Sequence, residues 1–410
     1  MPISRRHFNT AMLSLAAAIA SPSAFAQPME NEDMLTITPF TIDISDAEIA
    51  DLKDRLGRTR FPAAITEDWS RGQPLSLVKD LRDQWLHSYD WRQHEEELNG
   101  YPQFVTEIDG QRIHFVHVKS PEPNALPLIL THGWPGSFVE YLGLVGPLTN
   151  PKAHGLDSSI AFDVVIPSLP GFGFSTPLVG TGWDSARTAK AWDTLMKGLG
   201  YERYGAHGGD VGALVGRELG VLAPEGLIGT HLLQIFAFPS GEPGEMERLS
   251  PFEMEGMAIL GNFEKYNGYQ VIQSKRPATL AYGLVDSPVG QLAWNAELWF
   301  GFEGGGADHV DRDLYLTTNS IYWFTATSGS AANVYFEDTQ SGAGYREAPN
   351  PTPTGVAVFP EDFRSVRSFA ERSNNIVHWS EMPSGGHFAA SDSTELLVED
   401  IRRFFASLGA

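Results

Sequence analysis

The spacing of apolar positions changes character three times along the chain. Asp43-Ile44-Ser45-Asp46-Ala47-Glu48-Ile49 opens the first regular stretch. There Ser45 and Glu48 form a capping box, and Ile49, Leu52 and Leu56 recur at the spacing of one buried helix face. Leu77, Val78, Leu81, Trp85 and Leu86 repeat the rhythm in a second helix expected over Leu75 to Trp91. From Tyr101 the period falls to that of strands. Phe104–Ile108 and Ile113–Val118 are joined across Asp109-Gly110, a two-residue hairpin signal. Strand-like runs follow at Leu126–Leu130, Phe162–Ile166 and Tyr204–Ala206, each ending in a Gly- or Pro-rich turn. The clearest helix between them runs from an Asp184 N-cap through Ala191, Leu195 and Leu199 to Gly200 at C′. The third change comes near Phe238, where helix formers, aromatics and glycines take over until Gly355–Phe359. A last strand, Ile376–Trp379, and a helix, Leu396–Phe405, close the chain.

A hairpin followed by strand–helix alternation predicts an α/β protein, its mostly parallel sheet covered by helices on both faces. The expected organisation is a segment of 1–26, a linker and helical region of 27–100, and a core in two parts, 101–237 and 346–410. The insertion between those parts, 238–345, is where a helical lid belongs. Neither repeats nor low-complexity tracts interrupt this pattern.

Composition narrows the options. There are 51 acidic residues against 29 basic ones, a net charge of −22 that disfavours nucleic acid and anionic lipid as partners. The absence of cysteine excludes disulfides, thiolate metal sites and a cysteine nucleophile. Arg5-Arg6 precedes a mildly apolar stretch, Ala11 to Ala20, and Ala24-Phe25-Ala26 offers a cleavage site. This resembles a twin-arginine export signal and predicts a periplasmic or secreted protein, with no later run long enough to span a bilayer. Cleavage after Ala26 removes two arginines and no acid, taking the charge from −22 to −24.

The chemistry concentrates at Tyr204-Gly205-Ala206-His207-Gly208-Gly209-Asp210-Val211-Gly212. A strand entering Gly-x-Asp-x-Gly and leaving into a helix is a nucleophile elbow with aspartate in the serine position, which predicts the α/β-hydrolase fold. Taken alone, the pentapeptide fits an Asp N-cap equally well. Thr131-His132-Gly133-Trp134-Pro135-Gly136 follows the Leu126–Leu130 strand. There the Trp134 N–H, with that of Val211, is expected to form an oxyanion hole, and His132 to be structural. Gly385-Gly386-His387 lies in the loop after the final strand, where such a fold keeps its base. Phe359-Pro360-Glu361-Asp362 offers two acids after the preceding strand. Two histidine groups are read as non-metal: His114 and His117 point to opposite faces of one strand, and Asp308-His309-Val310-Asp311 reads as a helix start.

Together these segments resemble the microsomal, juvenile-hormone-type epoxide hydrolases over nearly the whole chain after the export segment. The resemblance rests on His132–Phe138, Pro167-Ser168-Leu169-Pro170-Gly171-Phe172-Gly173-Phe174-Ser175, the Asp elbow, Gly385–Ala390 and Asp286–Gly290. It implies Asp210 as nucleophile, His387 as base, Asp362 as the acid by its spacing from Phe359, and lid tyrosines at Tyr269 and Tyr335. Tyr266 and Tyr322 are the nearby substitutes. Cofactors and metals are not implied; the expected partners are a small epoxide and water. The family usually places a bulky aromatic after the nucleophile, where this chain has Val211, so a roomier pocket wall is expected.

An epoxide needs an anionic nucleophile on carbon and a proton donor on oxygen, which a carboxylate and two phenols supply. Two rivals remain. A dehalogenase would share the Asp nucleophile but call on indole N–H groups, for which Trp134, Trp294, Trp299 and Trp323 are candidates. A catalytically silent ligand-binding protein would need none of the site residues.

Overall fold

The computed structural model describes residues 35–157, 159–305 and 309–409. The export segment, Asp308 and nearly all of the expected linker lie outside the described residues. Among the described residues nine strands form one sheet: β1 (Thr38–Phe40), β2 (Gln103–Ile108), β3 (Gln111–Val118), β4 (Leu126–Thr131), β5 (Phe162–Pro167), β6 (Tyr204–Gly208), β7 (Leu227–Leu232), β8 (Asn350–Val358) and β9 (Asn374–Glu381). Their order is β1-β2-β3-β5-β4-β6-β7-β8-β9. The first three strands and β5 are joined antiparallel, and every pairing from β5 to β9 is parallel. Helices cover both faces of the central strands, so Leu128, Ile129 and Leu130 are all buried despite pointing alternately up and down. This is the expected α/β-hydrolase architecture.

The helices are α1 (Asp46–Gly57), α2 (Leu75–His87), α3 (Trp91–Asn99), α4 (Leu142–Thr149), α5 (Ser185–Gly198) and α6 (Val211–Leu222) in the first part. The inserted lid carries α7 (Pro251–Asn262), α8 (Gly268–Lys275), α9 (Pro277–Asp286), α10 (Pro288–Trp299), α11 (Arg312–Phe324) and α12 (Ser328–Ser341), between β7 and β8. Short α13 (Arg367–Ala370) and α14 (Ala389–Asp392) precede the long α15 (Thr394–Ser407).

Local signals explain most boundaries. Ser45 and Glu48 make the reciprocal capping box of α1, and Asp184 accepts from Arg187 N at the start of α5. Asp109 and Gly110 both adopt positive φ, as a two-residue hairpin turn requires, and Ile108 pairs with Gln111 across them. Three expectations change. The helix foreseen over Leu75–Trp91 stops at His87, because Asp90 caps a separate helix by accepting from Arg92 N. The edge strand β1 and the buried strand β7 were not foreseen; the first is only three residues long, and the second has its apolar run interrupted by Gly229 and His231. The strand before the acid loop starts at Asn350, five residues before the expected Gly355.

The N-terminal helices are tied to the lid. Trp85 Nε1 donates to Ser320 Oγ at 2.9 Å, Tyr89 OH lies 3.0 Å from Thr317 Oγ1, and Arg55 pairs with Asp286 at 3.1 Å. Trp85 is 2 % exposed. Replacing it by Ala is expected to cost about 3–5 kcal/mol of stability, read as a lower urea midpoint, with a cavity opening between α2 and α11.

Candidate active site

The register of the sheet assembles the site. Thr131 at the end of β4 pairs with Gly208 at the end of β6, so the loops after them meet at the carboxyl edge of the sheet. Backbones must then approach without side chains between them. A Cβ on Gly212 would overlap the Thr131 carbonyl, and one on Gly133 would overlap the Asp210 carboxylate. Asp210 itself has φ 53°, a strained value for a non-glycine residue that turns its carboxylate out of the elbow. On the other side Val358 of β8 pairs with Glu381 of β9. Glu361 N donates to Gly385 O at 3.1 Å, which pins the acid loop to the histidine loop.

Asp210 Oδ1 accepts from the Trp134 N–H at 2.8 Å, and the Val211 N–H also bonds this carboxylate. The two N–H groups expected to form an oxyanion hole thus converge on the carboxylate. His387 Nδ1 lies 2.9 Å from Asp362 Oδ1, and its Nε2 lies 3.8 Å from Asp210 Oδ2. Glu361 is exposed and gives the loop only its backbone bond, so the imidazole selects Asp362. Burial disfavours the charged imidazole, but the Asp362 charge and hydrogen bond, with the Asp210 and Glu140 charges, outweigh it and raise His387 to about 9. Burial raises Asp210, opposed by the His387 charge and the Trp134 and Val211 N–H groups. Burial also pushes Asp362 upward, but the His387 charge and hydrogen bonds from His387 and Gln234 bring it below the ordinary range.

Tyr269 on α8 and Tyr335 on α12 come down from the lid onto Trp134. Tyr269 stacks on its ring at 5.1 Å between centroids, and Tyr335 meets it edge-on at 5.8 Å. Burial, with the nearby Asp210 charge, holds both phenols well above their ordinary pKa, so both are hydrogen-bond donors at neutral pH. The substitutes are otherwise engaged. Tyr266 OH donates to Glu303 at the surface, and Tyr322 OH donates to the Gly136 carbonyl at 3.0 Å, bracing the oxyanion loop.

Of the histidines read as structural, His132 is buried, with Nε2 accepting from Leu169 N. His114 lies between Ser168 Oγ and Gln103 Oε1, and His117 lies on Tyr201 OH. Among the described residues, none of Trp294, Trp299 and Trp323 lines the space beside Asp210. Trp294 donates to Gln273 and Trp299 stacks on Phe388.

Gln234, Phe236 and Tyr345 are among the residues of the site that had no expectation. Gln234, directly after β7, accepts from Asp210 N at 2.7 Å and donates to Asp362, bridging nucleophile and acid. It carries no sequence signal, because the strand before it is obscured by Gly229 and His231 and an isolated Gln does not announce its partners. Tyr345 and Phe236 join Val211, Leu214, Val334, Tyr335 and Asp338 around the substrate side of Asp210. Val211 forms part of this wall, and these side chains leave about 20 Å³ open to the centre of a water.

A family model described as Epoxide hydrolase N terminus matches residues 37–141, and one for the alpha/beta hydrolase fold matches 127–254. The chain is 43% identical over 381 residues to a Stigmatella aurantiaca (strain DW4/3-1) protein assigned to the epoxide hydrolases, covering 91% of this chain and 86% of that one. It superposes on the Aspergillus niger epoxide hydrolase structure with a TM-score of 0.81 at 31% identity, covering 92% of this chain and 97% of that one. For the juvenile hormone epoxide hydrolase of Bombyx mori the TM-score is 0.80 at 27% identity, over 91% of this chain and 95% of that one.

The electrostatics give a direct test. Asp362→Asn removes the largest of the charges that lift the imidazole, so the NMR titration midpoint of His387 is expected to fall from about 9 toward its ordinary ~6.5. Glu361→Gln is expected to leave it in place.

Proposed function

The chain belongs to the epoxide hydrolase family of the α/β-hydrolase superfamily, and we propose that it is a juvenile-hormone-type member in which Asp210, His387, Asp362, Tyr269 and Tyr335 turn an epoxide and water into a vicinal diol. What carries this reading is the placement of two buried phenols above a carboxylate whose other side faces a histidine.

The epoxide lies between the Asp210 carboxylate and the tyrosines. One Asp210 oxygen attacks a ring carbon, the C–O bond breaks, and the opening oxygen takes a proton from a phenol. The product is an alkyl ester on Asp210 and a tyrosinate. Forming the ester removes the Asp210 charge that helped hold a proton on His387, so the imidazole gives that proton to solvent and is free to act as a base when one is needed; it regains a proton from solvent once the Asp210 carboxylate re-forms. His387 then takes a proton from water as its oxygen attacks Cγ of Asp210, with Asp362 stabilising the imidazolium. The Trp134 and Val211 N–H groups hold the tetrahedral oxyanion. The diol oxygen leaves with the proton from His387, and the proton released by the regenerated carboxylic acid returns to the tyrosinate.

Dehalogenation is disfavoured because two phenols lie over the substrate side of Asp210, whereas Trp134 lines its His387 side and the lid indoles are placed elsewhere. Purified enzyme is expected to form diol from an aryl or alkyl epoxide and to release no halide from a haloalkane. Tyr269→Phe and Tyr335→Phe should each slow ring opening about 10²–10³-fold, measured by single-turnover kinetics, and leave breakdown of a preformed ester near the wild-type rate. Halide release, or ring opening unaffected in the double variant, would overturn the proposal.

A further inference from the structure

Asp210 stands between two spaces and is the one residue that lines both. Tyr335, Val211 and Tyr345 lie on the substrate side. His387, Glu140, Trp134 and Gly133 lie on the other, with Phe388 and Ala390 closing its wall. This second space offers about 10 Å³ to the centre of a water, about the room that one water requires. The 3.8 Å between His387 Nε2 and Asp210 Oδ2 is too long for a direct hydrogen bond, and a water in the second space, beside the line joining them, would be in reach of both.

Glu140 has no part in the mechanism derived above. It sits on the short turn Phe138–Tyr141 after the oxyanion loop and is 8 % exposed. Its carboxylate occupies the place a side chain on Gly136 would fill. Among the described residues no donor holds this carboxyl. It faces the charges of His387 and Asp210 and the neutral phenols of Tyr141 and Tyr322. A buried carboxyl ordinarily has hydrogen-bond partners, and a water here would have Glu140, His387 and Asp210 as its three.

We infer that Glu140 is a further catalytic residue, holding against His387 the water that attacks Asp210 Cγ from the face opposite the substrate. The inference rests on the ester mechanism proposed above. The water oxygen forms the new bond to Cγ, one of its protons passes to His387 Nε2, and the other stays hydrogen-bonded to Glu140. Burial, opposed by the His387 charge and assisted by that of Asp210, raises Glu140 to about 8. In the ester the assisting Asp210 charge is gone, and the imidazolium that forms as His387 takes the water's proton is the charge that favours ionised Glu140, which stabilises it in return.

The test separates the half-reactions with styrene oxide. Ring opening is followed by quenching of Trp fluorescence, and the Asp210 adduct by mass spectrometry of quenched samples. Glu140→Leu is expected to slow ester breakdown about 10–100-fold, within the range for loss of proton-transfer assistance, and to change ring opening less than about threefold. The adduct then becomes the main species at steady state. Glu140→Gln, which keeps shape without charge, is expected to slow breakdown less and to move its pH midpoint down. The sign follows because Asp362, Asp210 and Glu140 are the acids that raise His387, and Asp210 is neutral in the ester. Breakdown at the wild-type rate in folded Glu140→Leu, or an equal fall in both half-reactions, would overturn the inference. Should Glu140→Leu fail to fold, an unchanged rate and midpoint in Glu140→Gln would do so. The ester mechanism has its own control: His387→Gln must accumulate the adduct, and its failure there would implicate that mechanism and not Glu140.

Discussion

A buried carboxylate held by two backbone N–H groups sets the terms for the rest of this protein. The bond from Trp134 N to Asp210 at 2.8 Å, with its companion from Val211, exists only because β4 and β6 end in register and their loops touch. That contact leaves no room for a side chain at Gly133 or Gly212 and forces Asp210 to positive φ. Donors already in place for the carboxylate are in place for the oxyanion that later forms from it, so no reorganisation is needed during reaction.

The remaining groups divide around this carboxylate. The lid contributes phenols on one side, and the loops after β8 and β9 contribute the acid–base pair on the other. Gln234 links the two ends by accepting from Asp210 N and donating to Asp362. Charge provides the timing. Asp210 as an anion helps keep His387 protonated and a poor base; Asp210 as an ester does not. Two successive reactions with opposite needs thus share one histidine. The N-terminal helices bear on this arrangement through their hydrogen bonds to α11, whose Tyr322 braces the oxyanion loop.

Features written in consecutive residues were legible beforehand. The elbow, the Ser45–Glu48 capping box, the Asp109-Gly110 turn and the glycine loop before His387 each carry their physical reason within a few positions. The acid choice needed the spacing from Phe359, and the tyrosines needed a family resemblance, because a Tyr in a helical insertion does not announce where it points. Gln234, Tyr345 and Glu140 were passed over for a related reason. Gln234 and Glu140 become significant only through what the fold brings against them from distant segments. Tyr345 lies at the edge of the lid, where the sequence has no regular pattern. The split of Leu75–Trp91 was missed although Asp90 is a good N-cap, since apolar spacing alone runs on across Ser88 and Tyr89.

The central claim is that Asp210 becomes covalently bound to the substrate. It is tested most directly by a single turnover in ¹⁸O-labelled water with enzyme in excess over the epoxide. Covalent catalysis yields unlabelled diol in that first turnover, because its new oxygen comes from the Asp210 carboxylate, and leaves one ¹⁸O in the peptide carrying Asp210. Labelled diol with an unlabelled Asp210 peptide would mean that water attacks the epoxide directly and would contradict it.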